Sequence, residues 1–211
     1  MVIAIDGPAG AGKSTTARLL AERLGFSYVD TGAMYRALTW IALREGVDLD
    51  DGPALRAMGE WHEWVTHHDR VEVGGVDVTD EVREPRIDRE VSRVAAHAEV
   101  RELLRERQRR AAARFDSVIE GRDIGTVVCP DAAVKVYLVA DGDERARRRT
   151  EERPGRDAAS LARELHDRDA ADAEQMRPAA DATVIDTTLL EIDAVVARIA
   201  QLVDDVTAAN R

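Results

Sequence analysis

The sequence predicts an α/β protein built on a parallel sheet covered by helices on both faces. Three observations predict it: five short apolar, β-branched runs, helical periodicity between them, and a glycine-rich loop joining the first run to the first helix. The runs are Val2–Asp6, Ser27–Asp30, 117–120, 134–138 and Thr183–Asp186. Each is short enough for a strand and apolar enough to be buried on both faces, as parallel strands are. Helical spacing covers Lys13–Leu24, 33–45, 88–115 (read as two helices), 143–150, 158–172 and 191–206. Gly25 follows Leu24 where a helix C-terminal glycine belongs.

Two segments break the alternation. Around 63–80, the pieces 62–66, 71–73 and 76–78 read as short antiparallel strands, with Gly74-Gly75 as a hairpin turn. This marks a small insert at about 60–85. The other segment, 143–157, holds Arg145, Arg147, Arg148, Arg149, Arg153 and Arg156, with a Pro154-Gly155 break. With no repeat and no low-complexity linker, residues 1–211 are expected to form a single domain.

Composition narrows the function. A formal net charge of -11 argues against a general nucleic-acid binder, while leaving room for a small anionic ligand in a locally basic site. No apolar run approaches the ~18 residues of a membrane span. Met1 leads directly into the first strand without a basic leader, so no secretion signal is expected. Cys129 is the single cysteine, which rules out an internal disulfide and fits a reducing cytoplasm. Lys13 and Lys135 are the only lysines, so a lysine kept inside the glycine-rich loop suggests a task arginine does not perform.

That loop, Gly7-Pro8-Ala9-Gly10-Ala11-Gly12-Lys13-Ser14, matches G-x-x-x-x-G-K-S between a strand and a helix. Its glycines let backbone N–H groups turn towards phosphate oxygens, assisted by the positive end of the following helix. Lys13 is placed for the β- and γ-phosphates of ATP and the Ser14 hydroxyl for Mg²⁺, with Thr15 completing the ATP-binding segment. The bland alternative is a tight strand-to-helix turn. A GTPase would need an Asn-Lys-x-Asp motif, yet the only asparagine is Asn210, and a motor or transporter ATPase would need more chain. A small-molecule kinase remains.

At Asp30-Thr31-Gly32-Ala33-Met34-Tyr35-Arg36 and at Glu120-Gly121-Arg122-Asp123-Ile124-Gly125-Thr126-Val127-Val128 the sequence resembles the bacterial cytidylate kinases. The likeness runs over nearly the whole chain. It includes the loop 7–15, the stretch 76–83, Val91-Ser92-Arg93-Val94-Ala95, Val100-Arg101, Pro130-Asp131-Ala132 and Arg168-Asp169-x-x-Asp172. The resemblance implies a three-layer P-loop kinase fold with a five-stranded parallel sheet of order 2-3-1-4-5. The insert would then bind the nucleoside monophosphate, and the arginine-rich segment would act as a short lid. It implies transfer of the γ-phosphoryl of ATP to CMP or dCMP by a cytoplasmic protein, expected to be a monomer.

Under that resemblance Arg36 and Arg122 grip the CMP phosphate, for which planar guanidinium forks are suited. Asp123 accepts from the cytosine N4 amino group and repels the O4 of uracil. Thr31, Ser92 and Arg101 match positions near the base, and Arg168 and Asp172 match contacts to the sugar. Catalysis would rest on Lys13, Arg122 and a lid arginine, for which Arg149 is the candidate. Taken singly, Arg36 reads as a solvated helix face, Arg122 and Asp123 as a loop salt bridge, and the run 145–149 as a charged helix. Other readings also stay open: a different small-molecule kinase, or a nucleotide-binding regulator without turnover. His67-His68 lacks partners at zinc-like spacing and reads as surface. Trp40, Trp61 and Trp64 read as packing, and Cys129 as a buried thiol.

The chain departs from the family at one place. The family's R-D-x-x-D-x-x-R ends in an arginine facing the reacting phosphates, where this sequence has Gln175. Gln175 carries no charge, and Arg177 or a lid arginine is the expected substitute.

Overall fold

The computed structural model describes residues 1–67, 70–153, 155–173 and 176–209. The described chain divides into two compact units, Met1–Tyr28 with Phe115–Arg211, and Val29–Arg114.

The first unit carries the sheet. Its strands are β1 (Val2–Asp6), β6 (Ser117–Gly121), β7 (Val134–Val139) and β8 (Thr183–Asp186), while β2 (Ser27–Asp30) takes the chain from one unit to the other. The order is β2-β6-β1-β7-β8. Numbering only the five sheet strands turns this into 2-3-1-4-5, because three strands of a separate small sheet intervene in sequence. β1 pairs in parallel with β6 and with β7, with Ile5 opposite Glu120 on one side and Val136 on the other, and β7 pairs in parallel with β8.

Helices α1 (Lys13–Leu24) and α8 (Ile192–Ala209) close the core of this unit. α8 buries Val195, Val196, Ile199, Ala200 and Val203, a stripe at three- and four-residue spacing. They meet Leu20 and Ala21 of α1 and Ile3, Ile5, Val118, Val136, Leu138 and Ile185 of the sheet. α1 begins at Gly12 (φ 86°) and ends at Gly25 (φ 68°), whose N–H bonds back to the helix. Left-handed backbone at that end is where glycine is favoured. The arginine-rich segment forms α6 (Gly142–Glu152), followed by α7 (Ala158–Ala171).

The second unit holds α2 (Thr31–Glu45), α3 (Gly52–Trp61), α4 (Pro85–Ala95), α5 (Ala98–Ala112) and a three-stranded antiparallel sheet of β3 (Trp64–His67), β4 (Arg70–Val73) and β5 (Val76–Asp77). The β4–β5 turn is Gly74-Gly75 with both φ values positive (57° and 77°), a conformation that glycine adopts without strain. α3 was not legible in the sequence. The Asp51 side chain caps it by accepting from the Ala54 N–H at 2.9 Å, with Pro53 in the first turn. At Gly59 an ideal Cβ would come within 2.6 Å of Leu103 Cδ2, so α3 and α5 approach closely there.

Two packing expectations fail. Trp61, the last residue of α3, is 86% exposed. Cys129 is only half-buried, at the end of the turn Ile124–Val128 that follows β6. Trp64 is buried as expected, with the Arg107 guanidinium 3.8 Å from its ring centre.

Candidate nucleotide site

β1 ends at Asp6, and the loop to α1 bends by means of its glycines. Gly7 has φ 145°, and an ideal Cβ there would fall 2.2 Å from the Leu138 carbonyl oxygen of β7. A residue other than glycine would force the loop off the strand. Gly10 and Gly12 also have positive φ.

The loop's carbonyls are taken by side-chain donors. Arg122 donates to Gly7 O (2.6 Å), Lys13 Nζ to Pro8 O (2.7 Å), Arg145 to Ala9 O (3.1 Å) and the Thr187 hydroxyl to Ala11 O (3.2 Å). With its carbonyls engaged in this way, the loop is held in one shape, and its N–H groups can be offered to an anion.

Next to the loop stands an acid. Glu120, at the carboxyl end of β6, is buried and accepts from Ser14 Oγ (2.9 Å) and from the Tyr28 hydroxyl. A buried carboxylate needs such partners. Arg122, two residues on, also donates to Asp172 (2.9 Å), so the structure brings Arg122, Asp172 and the phosphate loop together. Asp123 follows, and its carbonyl accepts from Val127 N (2.8 Å) as the chain makes a π-helical turn at Ile124–Val128.

Asp6 is 5% exposed, and its two carboxylate oxygens accept from Ile124 N and Gly125 N, each at 2.8 Å. Burial raises its carboxyl above the ordinary range, opposed by those two N–H groups; the Asp123 charge raises it further and the Lys13 charge lowers it.

On α6, Arg145 pairs with Asp169 of α7, and Arg148 donates to Glu144 and to the Thr187 carbonyl (2.6 Å). The two guanidinium groups beside it hold the Glu144 carboxyl well down, at about 2, the Arg147 hydrogen bond being the larger influence. Arg149 pairs with Glu152 (3.1 Å), and Arg145 donates to the loop. Between the loop, α6 and the segment after β8 lies a cleft of about 670 Å³, lined by Gly12, Thr15, Arg148, Thr188, Leu190 and other residues. Its position at the carboxyl edge of the sheet is where open α/β folds bind ligands. Arg168 lies in α7, but its side chain is outside what is described, as is Gln175 altogether; Arg177 is exposed.

In the second unit, Asp30 caps α2 by accepting from Ala33 N (2.8 Å) and also accepts from Arg36 (3.0 Å). The guanidinium thus folds back over the first turn, where an ideal Cβ on Gly32 would come within 3.2 Å of Arg36 Nη1. Arg36 is therefore not a solvated face. Thr31 is buried at the start of the same helix. Arg101 donates to the carbonyls of Ala95 (2.9 Å) and Ala96 (2.5 Å), one turn beyond Ser92 on α4, so Ser92 and Arg101 share that helix end.

A cytidylate kinase family model matches residues 3–205. The chain belongs to the cytidylate kinase family. It is 48% identical to a cytidylate kinase of Desulfitobacterium hafniense (strain Y51) over 96% of this chain and 92% of that protein. It is also 48% identical to one from Pelotomaculum thermopropionicum over 92% of each. Its fold resembles the crystal structure of shikimate kinase from Bacteroides thetaiotaomicron, at 17% identity and TM-score 0.52, covering 97% of this chain and 98% of that one. As a family member the chain is an enzyme, a nucleoside-monophosphate kinase that phosphorylates CMP or dCMP with ATP. No helix among the described residues is long and apolar enough to cross a membrane.

Sequence reasoning did not single out Glu120, Arg145 or Thr187 as site residues. A signal existed for Glu120, an acid closing an otherwise apolar strand run. Arg145 stands among the six arginines of the lid segment with nothing local to distinguish it from them, and Thr187 reaches the loop from a distant segment that no local pattern marks.

Proposed function

We propose that the residues around the glycine loop bind ATP with Mg²⁺, and that the acceptor CMP or dCMP is gripped by Arg36 and Arg122. The observation that carries this is the glycine loop with Lys13, flanked by the Ser14–Glu120 hydroxyl–carboxylate pair. An oxygen donor set of hydroxyl and carboxylate suits a hard divalent cation, so Ser14 and Glu120 would hold Mg²⁺, which supplies charge neutralisation across the β- and γ-phosphates. Backbone N–H groups of 7–15 orient the donor phosphates, and Lys13 adds charge to them. The cleft beside Gly12 accommodates the donor nucleoside.

Phosphoryl transfer needs positioning and charge more than proton abstraction, so no strong base is assigned. Arg122 and Lys13 reduce the negative charge that would keep two anions apart, and Arg145 joins them from α6. Asp172 keeps Arg122 in place and, by family likeness, contacts the sugar, as does Arg168. In the second unit, Arg36 over the α2 N-terminus suits a phosphate group, since the helix end and the guanidinium both favour an anion. Guided by the family resemblance, we assign Thr31, Ser92, Arg101 and Asp123 to the base. We assign the protein to the cytoplasm as a monomer acting on small molecules rather than on nucleic acid.

A coupled assay of ADP release with CMP, dCMP, UMP and AMP tests this reading. CMP and dCMP are expected to be the preferred acceptors. Equal turnover of all four, or nucleotide binding without ADP release, would overturn it.

A further inference from the structure

Asp6 lies one residue before the glycine loop, outside the pattern that marks it. Its neighbours on β1, Ile3 and Ile5, are fully buried apolar residues, and an apolar residue at position 6 would extend that core. A carboxylate there is costly to bury unless its oxygens are occupied. Both are occupied, and by main chain rather than by a side chain: Ile124 N and Gly125 N, each at 2.8 Å. The approach is close. An ideal Cβ on Gly125 would sit 3.3 Å from Lys135 Cδ and 3.4 Å from Asp6 Oδ2.

The residues immediately before this anchored pair are Arg122 and Asp123, and Arg122 makes a second tie to the same place by donating to Gly7 O at 2.6 Å. Segment 122–125 is therefore fastened at both ends to residues 6 and 7, where strand becomes phosphate loop. Two parallel N–H donors on one carboxylate fix position and orientation together, which a single hydrogen bond would not.

We propose that Asp6 is a positioning residue for acceptor recognition, setting where Arg122 and Asp123 stand relative to the phosphate loop. The inference rests on the reading that Arg122 and Asp123 serve the acceptor nucleotide. Asp6 is buried and engaged by main chain, so its role is one of placement rather than of contact with a nucleotide. It acts by making the backbone of 124–125 immobile, so that the guanidinium and the carboxylate that precede it keep one placement.

Asp6→Asn is the sharpest variant. It keeps the shape and one acceptor oxygen but turns an NH₂ towards a backbone N–H, so one of the two ties is lost. The expected result is a KM for CMP raised ~10-fold or more, a KM for ATP within ~2-fold of the parent, and a CMP:UMP ratio of kcat/KM narrowed ~10-fold. A lowered Tm with both the KM for CMP and that ratio unchanged would overturn the proposal, as would an equal rise in both KM values. If Asp6→Asn does not fold, Gly125→Val crowds Asp6 Oδ2 and the Lys135 stem with a branched side chain while leaving the carboxylate in place, and an unchanged KM for CMP there overturns it equally. Val203→Ala, a core truncation in α8, controls for lost stability and should leave the ratio alone. Asp123→Ala separates the two levels. An unchanged CMP:UMP ratio in Asp123→Ala defeats the acceptor reading itself. A narrowed ratio there, with parental behaviour in Asp6→Asn and Gly125→Val, defeats only the positioning role.

Discussion

Glu120 closes the apolar run of β6, and the hydroxyls of Ser14 and Tyr28 both donate to it. Because Ser14 Oγ gives its hydrogen to Glu120, its lone pairs are left for a cation. Glu120→Gln keeps an acceptor oxygen but removes the negative charge and presents an amide to one of the hydroxyls. The expected outcome is a folded protein with kcat lowered ~10²-fold and a half-saturating Mg²⁺ concentration raised ~10-fold. A Mg²⁺ dependence identical to the parent's would make Glu120 a packing residue only. Lys13 answers to a different measurement. Lys13→Met removes the one ammonium of the loop, and kcat should fall by at least ~10²-fold while the fold persists. Near-normal turnover would sink the phosphate-loop assignment.

At the level of elements, the N-terminal turn of α2 offers a clean test because stability and function should move in opposite directions. Gly32 is inside a helix, where alanine is favoured by up to ~1 kcal/mol. Its Cβ would nevertheless press on Arg36 Nη1 and Asp30 Oδ1, both at 3.2 Å. Gly32→Ala is thus expected to hold or raise Tm while the KM for CMP rises ~5-fold or more, with the KM for ATP near its parental value. A stable variant with an unaltered KM for CMP would show that Arg36 does not grip the acceptor. The same helix shows what the sequence could disclose. Asp30 and Gly46 bracket α2 as cap and stop. The inner strands β1, β6 and β7 read directly because strands buried on both faces are near-continuous apolar runs, whereas in the edge strand β8 only Ile185 is buried and Val184 is exposed. α3 escaped because Gly52, Pro53 and Gly59 mask its short buried stripe of Leu55 and Met58, although Asp51 with Pro53 two residues on was a usable start signal. The phosphate loop was legible because its residues are consecutive. Its partners Glu120, Arg145 and Thr187 were not, since each arrives from a separate segment and is defined only by where the chain folds.

For the molecule as a whole, the open question is how an acidic protein neutralises the transferring phosphoryl. Forty-one carboxylates against thirty Lys and Arg leave a net charge of -11, yet charges beyond a screening length of about 8 Å at physiological salt matter little to a transition state. Neutralisation must therefore be local. By the family resemblance an arginine is expected where this chain has Gln175, which lies outside the described residues, and Arg177 or a lid arginine such as Arg149 or Arg153 is the expected substitute. Among the described contacts, Arg145 reaches the loop at Ala9 O while held by Asp169. A guanidinium already fixed at the loop needs no reorganisation to meet developing charge, which is the condition for large electrostatic catalysis. Arg145 is accordingly expected to have taken over the task. Arg145→Ala should lower kcat ~10²-fold with the KM for CMP nearly unchanged, and Gln175→Arg should add little. Because truncating Arg145 also strands Asp169, the double variant Arg145→Ala/Asp169→Asn is the decisive one: it removes the uncompensated carboxylate, and its kcat should stay low. If that double variant turns over like the parent while Gln175→Arg raises kcat sharply, Arg145 only latches α6 to α7, and the chain works with one phosphate-facing cation fewer than its relatives.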